Sequence, residues 1–420
     1  MKGKQILIVG GGVAGLSAAI ELADLDIRVE LIEKSYFLGG HAIGYACKAI
    51  QNTCVRCGAC MVEEKLRGAV SHPNINILIG SQIQGISKNS RFSASVRRQP
   101  LYIDPEKCTD CGRCSNRCPV DGAIMKSFSK NNHPLYAINI AKCLYFKDRS
   151  CTICFNECPE SAIDPNKNAL EYTIEADAVL IAAGFQPFKP GNKPYGYGHF
   201  KNVVTALELE NMLKQSGEVK KPSDDNFPQK VAFIQCVGSR DAKLNHLWCS
   251  KVCCGSALRM ARLIKERQPE TELTFFYIDV QTFGRDFEQF YREVQEDIRM
   301  VRAIPADIYE TEGQGLKVNF VNHPLHETRE EIFDLVVLSV GITPSEDIGA
   351  FSAMFNIDPD EFGFLKGDGK GMPIPENGVF TAGAVQGPMS IPESIAAAGS
   401  AAWNIVKYMS GRDFVIKNLR

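Results

Sequence analysis

Apolar and polar positions along the chain spell out one unit and later spell it out again. Residues 6–9 form a short apolar run, glycines follow, residues 13–25 carry apolar side chains at helical spacing, and residues 29–33 form a second apolar run. That order predicts β-α-β. It returns at residues 231–235, 256–267 and 273–278. Further strands are predicted at residues 176–183 and 335–340, and the chain closes on a glycine-bearing strand-to-helix junction over residues 379–408. Residues 217–228 are polar, with Lys220, Lys221, Pro222, Ser223, Asp224 and Asp225 in a row, and read as a surface connection. Residues 105–165 break the pattern and hold cysteines among turn residues.

A length of 420 residues provides for two or three domains and a large core. Apolar residues at 45%, charged residues at 23% and a formal net charge of −2 give no basis for a nucleic acid or an anionic membrane as main partner. Met1-Lys2-Gly3-Lys4 leads straight into the first strand, so no signal peptide is predicted. No apolar run reaches the roughly 18–20 residues of a membrane span, so any work at a membrane requires a partner to hold the chain there. The 16 cysteines change the picture. They fall into sets at 47/54/57/60, 108/111/114/118, 143/151/154/158 and 236/249/253/254. Without a secretory signal, such groups point to metal and not to a disulfide framework.

Gly10-Gly11-Gly12-Val13-Ala14-Gly15 fits G-x-G-x-x-G between a strand and a helix, and Glu33 ends the next strand. This is the context of a dinucleotide loop. Gly10 permits the tight turn, Gly12 lets backbone approach a pyrophosphate, Gly15 allows close helix–strand packing, and Glu33 can accept hydrogen bonds from a ribose. Ala178 to Gly184 reads as a strand ending in small residues, among them Ala183 and Gly184. Near the end, Thr381-Ala382-Gly383-Ala384 and Gly387-Pro388 precede an alanine-rich helix opening at Ile391. A second helix N-terminus suits a flavin ring, which gains negative charge on reduction; the bland alternative is an ordinary buried helix. Both segments resemble those of the FAD-dependent pyridine nucleotide–disulfide oxidoreductases, whose FAD domain is split by an NAD(P) domain.

Cys108-x2-Cys111-x2-Cys114-x3-Cys118-Pro119 is a ferredoxin run. Cys143-x7-Cys151-x2-Cys154-x3-Cys158-Pro159 repeats it with a longer first gap, which a surface loop absorbs. Asp121-Gly122-Ala123-Ile124 and Glu160-Ser161-Ala162-Ile163 follow the two prolines alike. Since the fourth cysteine of each run serves the other cluster, one set is Cys108, Cys111, Cys114 and Cys158, and the other is Cys143, Cys151, Cys154 and Cys118. Cys236-x12-Cys249-x3-Cys253-Cys254 follows the first strand of the second unit, where a nicotinamide enzyme would carry its own glycine loop. Four cysteines there suggest a cluster in place of NAD(P), against a set of buried thiols. Cys47, Cys54, Cys57 and Cys60 lack a following proline and stand open between a further cluster and thiols near the flavin that are redox-active or merely buried.

Taken together, these residues resemble the family of heterodisulfide reductase A subunits. The resemblance rests on Cys236-Val237-Gly238-Ser239-Arg240-Asp241, on Cys249-Ser250-Lys251-Val252-Cys253-Cys254, on Glu33-Lys34 with Gly39-Gly40, and on His72-Pro73-Asn74-Ile75. It implies a [4Fe-4S] cluster on Cys236, Cys249, Cys253 and Cys254 near FAD. It extends the FAD contacts to Gly10, Gly12, Val13, Ala14, Gly15, Glu33, Lys34, Gly40, Ala183, Gly184, Gly383, Ala384 and Ile391. The chain reads as a short form, without the N-terminal domain or the C-terminal ferredoxin extension of the full-length proteins. It is similar in this to a branch of the family, the A subunits of quinone-interacting membrane-bound oxidoreductase complexes.

The implied fold is α/β: an FAD domain over residues 1–104, 166–225 and 335–420, a second doubly wound domain over 226–334, and an inserted two-cluster ferredoxin domain over 105–165. The implied activity is electron transfer between a membrane quinone pool and adenylylsulfate reductase, or heterodisulfide reductase-type bifurcation or sulfur oxidation; an NAD(P)H-dependent flavoenzyme is the remaining alternative. The implied partners are a homologous flavin and iron–sulfur protein and a membrane quinone-reactive protein of the same complex. The implied location is cytoplasmic, at the inner face of the membrane through those partners.

Overall fold

The structure, a computed structural model, describes residues 3–120, 122–128, 134–281, 284, 286–322, 326–366 and 377–410. Met1, Lys2, Asp121 and the closing residues 411–420, all named above, lie outside them.

Two five-stranded parallel sheets organise the chain. The first has the order Val379–Thr381, Ala178–Ile181, Gln5–Val9, Arg28–Glu33, Ile75–Ile79. Its central strand is apolar on both faces, as a strand covered on both sides must be. Ile6 and Ile8 pack with helices Val13–Ala23 and Ile391–Ser410. Leu7 and Val9 pack with the antiparallel sheet Ser81–Lys88, Phe92–Arg98, Leu170–Ala176. The second sheet has the order Val203–Thr205, Leu335–Val340, Lys230–Val237, Glu272–Phe276, Arg299–Val301. It repeats the layering. Val231 and Phe233 meet helices Ala206–Gln215 and Cys253–Arg267, while Ala232 and Ile234 meet the antiparallel sheet Asp307–Glu310, Leu316–Asn322, Glu327–Phe333.

Two expected boundaries are displaced. Val203–Thr205 and Leu335–Val340 fall in the FAD domain by sequence, yet both pair inside the second sheet. The reason is physical: a buried parallel strand is a short apolar run in either sheet, and its sequence does not say which neighbour it will bond.

The chain crosses between the two units twice, and the crossings pair. Phe185–Pro187 and Ile342–Pro344 form an antiparallel ribbon, Phe185 opposite Pro344 and Pro187 opposite Ile342. The cysteine-rich insert leaves from Phe92–Arg98 and returns through Leu170–Ala176, two strands paired to their ends at Arg98 and Leu170. Asp104 N–H then donates to Ala162 O at 2.8 Å and Asp164 N–H to Tyr102 O at 2.9 Å, so the neck stays closed.

A fully buried ion pair ties the start of the first cysteine set, at Lys48 next to Cys47, to the second unit. Lys48 and Glu210 are each 2% exposed, with Nζ 2.6 Å from Oε1. Glu210 also accepts from Ala46 N–H at 3.1 Å and from Ser256 Oγ at 3.2 Å. Removing one member of such a pair strands the other charge in a low-dielectric site. Glu210→Ala is expected to cost about 3–5 kcal/mol in urea unfolding, and Lys48→Met with Glu210→Leu to recover most of it.

Candidate functional site

The first sheet ends in a backbone cradle. Gly10 takes φ +108°, and a Cβ there would lie 2.4 Å from Ala182 O. At Gly15 a Cβ would lie 1.9 Å from Gly10 O, so the helix can approach the turn only without a side chain. Gly12 is different: the nearest atom to a Cβ is Gly40 Cα at 4.0 Å. Gly184, at φ +69°, and Gly387 meet nothing within 4 Å. Gly12 thus keeps space open at the N-terminus of Val13–Ala23, and Gly184 and Gly387 keep it open at their own turns. A partly buried cradle of this kind fits a dinucleotide pyrophosphate. Gly39 N–H donates to Gly11 O at 2.7 Å, which brings Gly40 over the loop.

Glu33 is positioned by main chain. Oε2 accepts from Gly11 N–H at 2.6 Å and Oε1 from Ser35 N–H at 2.7 Å; each oxygen keeps a further lone pair for a ribose hydroxyl. Lys34, expected at the cofactor, pairs with Asp347 at 2.9 Å. Gly383, at φ +77°, and Ala384 lie in the short turn Gly383–Gln386, and Gly383 backs onto Ala14, where a Cβ would stand 2.6 Å from the Ala14 methyl. Ala183 packs on the apolar layer between the sheets. Ile391 opens the helix Ile391–Ser410, and Ser390 and Glu393 form a reciprocal cap: Ser390 N–H donates to Glu393 at 2.9 Å and Glu393 N–H to Ser390 Oγ at 3.3 Å.

In the insert the cysteines gather as the two runs cross. Cys108, Cys111, Cys114 and Cys158 line one concavity, together with Tyr136 and Pro159. Cys118, Cys143, Cys151 and Cys154 line another, walled by Ile124, Ile138 and Ile153. Each set takes three thiols from one run and one from the other. Burial pushes the Cys114 thiol up to about 11 and Cys154 up to about 12. Such thiols are neutral near pH 7 until a metal displaces their protons. A space walled by four thiols fits an iron–sulfur cube.

The third set occupies the carboxyl end of Lys230–Val237 and the first turn of Cys253–Arg267, where an open α/β sheet receives its ligand. Cys236 is in the left-handed region at φ +60°, next to Gly238 at φ +81°. Cys236, Cys249, Cys253 and Cys254 lie within electrostatic reach of one another. Burial, then the neighbouring Cys254, raises Cys236 to about 12, while the Cys253–Cys254 hydrogen bond lowers Cys254 to about 7. Arg240, paired with Asp279 at 2.6 Å, adds positive charge beside Cys236 and Cys249.

In the fourth set Cys47, Cys54 and Cys60 are exposed and Cys57 is half-buried. The loop is held by Arg259, whose Nε donates to Val55 O at 2.9 Å and whose charge lies near Cys54 and Cys57. Arg56 pairs with Asp286. Gly58 rests on Ile391 and Pro392, where a Cβ would stand 3.3 Å from Ile391.

Sequence reasoning missed several residues around these loops. His41 lies 4.9 Å from the Phe185 ring, with Nε2 3.2 Å from Phe185 O. Trp248 donates to Ile342 O at 2.9 Å and stacks near His246 and Phe364. Arg259, Lys251 and Glu393 were missed too. Only nearness to Cys249 along the chain marked Trp248 and Lys251; nothing local marked the others.

The fold is that of a flavoprotein with two dinucleotide-binding units. T. acidophilum thioredoxin reductase superposes with a TM-score of 0.54 at 16% identity, over 97% of this chain and 99% of that one. The family model described as pyridine nucleotide-disulphide oxidoreductase matches residues 4–234. The chain therefore belongs to the pyridine nucleotide-disulphide oxidoreductase family. Within it, the chain is 33% identical over 95% of its length to the A subunit of the H(2):CoB-CoM heterodisulfide,ferredoxin reductase of Methanothermobacter marburgensis, covering 63% of that protein. It is likewise 33% identical over 99% of its length to the iron-sulfur A subunit of the CoB--CoM heterodisulfide reductase of Methanocaldococcus jannaschii, covering 66%. The chain thus spans somewhat under two thirds of the length of these relatives.

The contact at Gly15 yields a direct test. Gly15→Val is expected to drive the helix off the turn and lower the flavin-to-protein ratio by about tenfold or more, read from acid-released FAD against protein absorbance.

Proposed function

We propose that the chain is an electron-transfer subunit that holds FAD at the carboxyl end of the first sheet and relays electrons through iron–sulfur clusters to partner proteins. The observation that carries this reading is the gathering of cysteines from separate runs into three sets, one of them at the ligand-binding end of the second sheet. FAD is held by the loop of Gly10, Gly12, Val13, Ala14 and Gly15, by Glu33 and Gly40, by Ala183 and Gly184, and by Gly383, Ala384 and Ile391; Lys34 supports the loop through Asp347. Bound FAD supplies the exchange between paired and single electrons. Three [4Fe-4S] clusters take Cys108, Cys111, Cys114 and Cys158; Cys118, Cys143, Cys151 and Cys154; and Cys236, Cys249, Cys253 and Cys254. Cys47, Cys54, Cys57 and Cys60 are candidates for a fourth.

The division of labour follows the two sheets, with the FAD unit on the first, the cluster-bearing unit on the second, and the ferredoxin insert between Arg98 and Leu170. A glycine phosphate loop is replaced at Cys236, so nicotinamide is not the electron entry. No helix among the described residues is long and apolar enough to cross a membrane. We place the chain between a membrane quinone pool and adenylylsulfate reductase, at the inner face of the membrane, with two partners in the complex, one a homologous flavoprotein and the other quinone-reactive. The second reading, a heterodisulfide reductase-type role in flavin-based bifurcation, is favoured by the names of the relatives at 33% identity. Turnover with a menaquinol analogue in the assembled complex supports the first; transfer from one hydride donor to a high- and a low-potential acceptor supports the second.

Three measurements bear on both. Anaerobically purified protein should carry about twelve iron atoms per chain, at four per cube, and about sixteen if the fourth set is filled. Cys114→Ala should lose about four of them, keep FAD, and slow transfer to the terminal acceptor; unchanged turnover with the cluster gone contradicts the relay. NADH and NADPH should fail to bleach the flavin band in anaerobic mixing; rapid bleaching overturns the assignment of the Cys236 loop.

A further inference from the structure

We propose that the ion pair between Lys251 and Glu393 sets the charge the flavin meets at the N-terminus of helix Ile391–Ser410, and so ties the flavin's reduction potential to the Cys249–Cys254 loop. The proposal rests on the reading above that FAD lies against that helix end.

A helix N-terminus offers partial positive charge, which favours a ring that gains negative charge on reduction. Glu393 places a carboxylate in that first turn. Its Oε2 completes the cap, accepting from Ser390 N–H at 2.9 Å and Ser390 Oγ at 2.8 Å. Left alone, this carboxylate would oppose the charge the helix end is there to stabilise. Its other oxygen is taken by Lys251 Nζ. Lys251 comes from the middle of the third cysteine set, and it reaches Glu393 from a left-handed backbone at φ +67° while its own N–H donates to Cys249 Sγ at 3.2 Å. One residue thus touches a cluster ligand through its main chain and the capping carboxylate through its side chain. Burial pushes the Glu393 carboxyl up, but Lys251 and Ser390 outweigh it and hold the group below its usual range, so it is charged at neutral pH. On another side Gly58 packs on Ile391 and Pro392, which brings the Cys54–Cys57–Cys60 loop to the same helix end. The side chains of Lys251 and Glu393 are 28% and 43% exposed, so the field is partly screened and the shifts will be moderate.

The sign of the effect separates charge from mere stapling. Lys251→Met uncovers the carboxylate and should move the flavin midpoint to lower potential. Glu393→Gln keeps the cap, since glutamine serves at that position, but removes the negative charge facing Lys251 and should move the midpoint higher. Lys251→Met with Glu393→Gln should return it close to wild type, and Lys251→Arg should behave as wild type. The measurement is an anaerobic spectroelectrochemical titration of the flavin band in the purified holoprotein, with the FAD-to-protein ratio taken in parallel. Shifts of the same sign in both single variants, loss of FAD in both, or no shift with FAD retained would each overturn the charge coupling. Wild-type protein that releases no FAD would overturn the functional reading itself, and this proposal with it.

Discussion

The two parallel sheets are joined by two strands of chain, and these strands are hydrogen-bonded to each other. Phe185–Pro187 leaves the first unit, Ile342–Pro344 returns, and their pairing makes the junction a ribbon where a single linker would leave a swivel. The surrounding loops are built on it. Trp248 and Ser250, flanking Cys249, bond Ile342 O and N at 2.9 and 2.8 Å. His41, beside the glycine cradle, faces Phe185 O at 3.2 Å. The loop of the third cysteine set and the dinucleotide loop therefore take their positions from the same few backbone groups. Two sites on neighbouring units need a fixed separation to work together, and a paired ribbon supplies it better than side-chain packing alone.

The same economy governs the strand ends. In both units the central strand is buried on both faces and the chain must turn at its carboxyl end. In the first unit Gly10 and Gly15 solve this by omitting side chains; in the second, Cys236 takes a left-handed backbone and Gly238 follows it. One topology thus presents main-chain N–H groups and a helix terminus in one unit, and thiols with a helix terminus in the other. The charge around the second site is balanced locally by Arg240 and Asp279.

What could be read from the sequence was what chemistry writes at short range. Glycine spacing, cysteine spacing and the proline after each fourth cysteine are local, and the crossed gathering of Cys158 with Cys108 and of Cys118 with Cys143 follows from that spacing. The two β-α-β units were legible because a strand buried on both faces is continuous in apolar residues. What could not be read was long-range pairing. Leu335–Val340 has no residue that names its partner strand, so its place in the second sheet emerges only from the fold. Lys48 and Glu210 look like surface charges until the fold brings them within 2.6 Å inside the protein. Arg259 and Glu393 likewise gain their meaning only from loops more than a hundred positions away in the chain.

The closed neck of the insert has a consequence for how such a molecule can be rebuilt. Arg98 and Leu170 are opposed residues of an antiparallel pair, so their Cα atoms are about 5 Å apart. The excursion between them is a cassette. It can be cut out and its ends joined by a two-residue hairpin turn with the sheet beneath left whole, or replaced by a different cassette. The molecule is in that sense modular: one loop can be exchanged while the glycine cradle and the ribbon stay as they are.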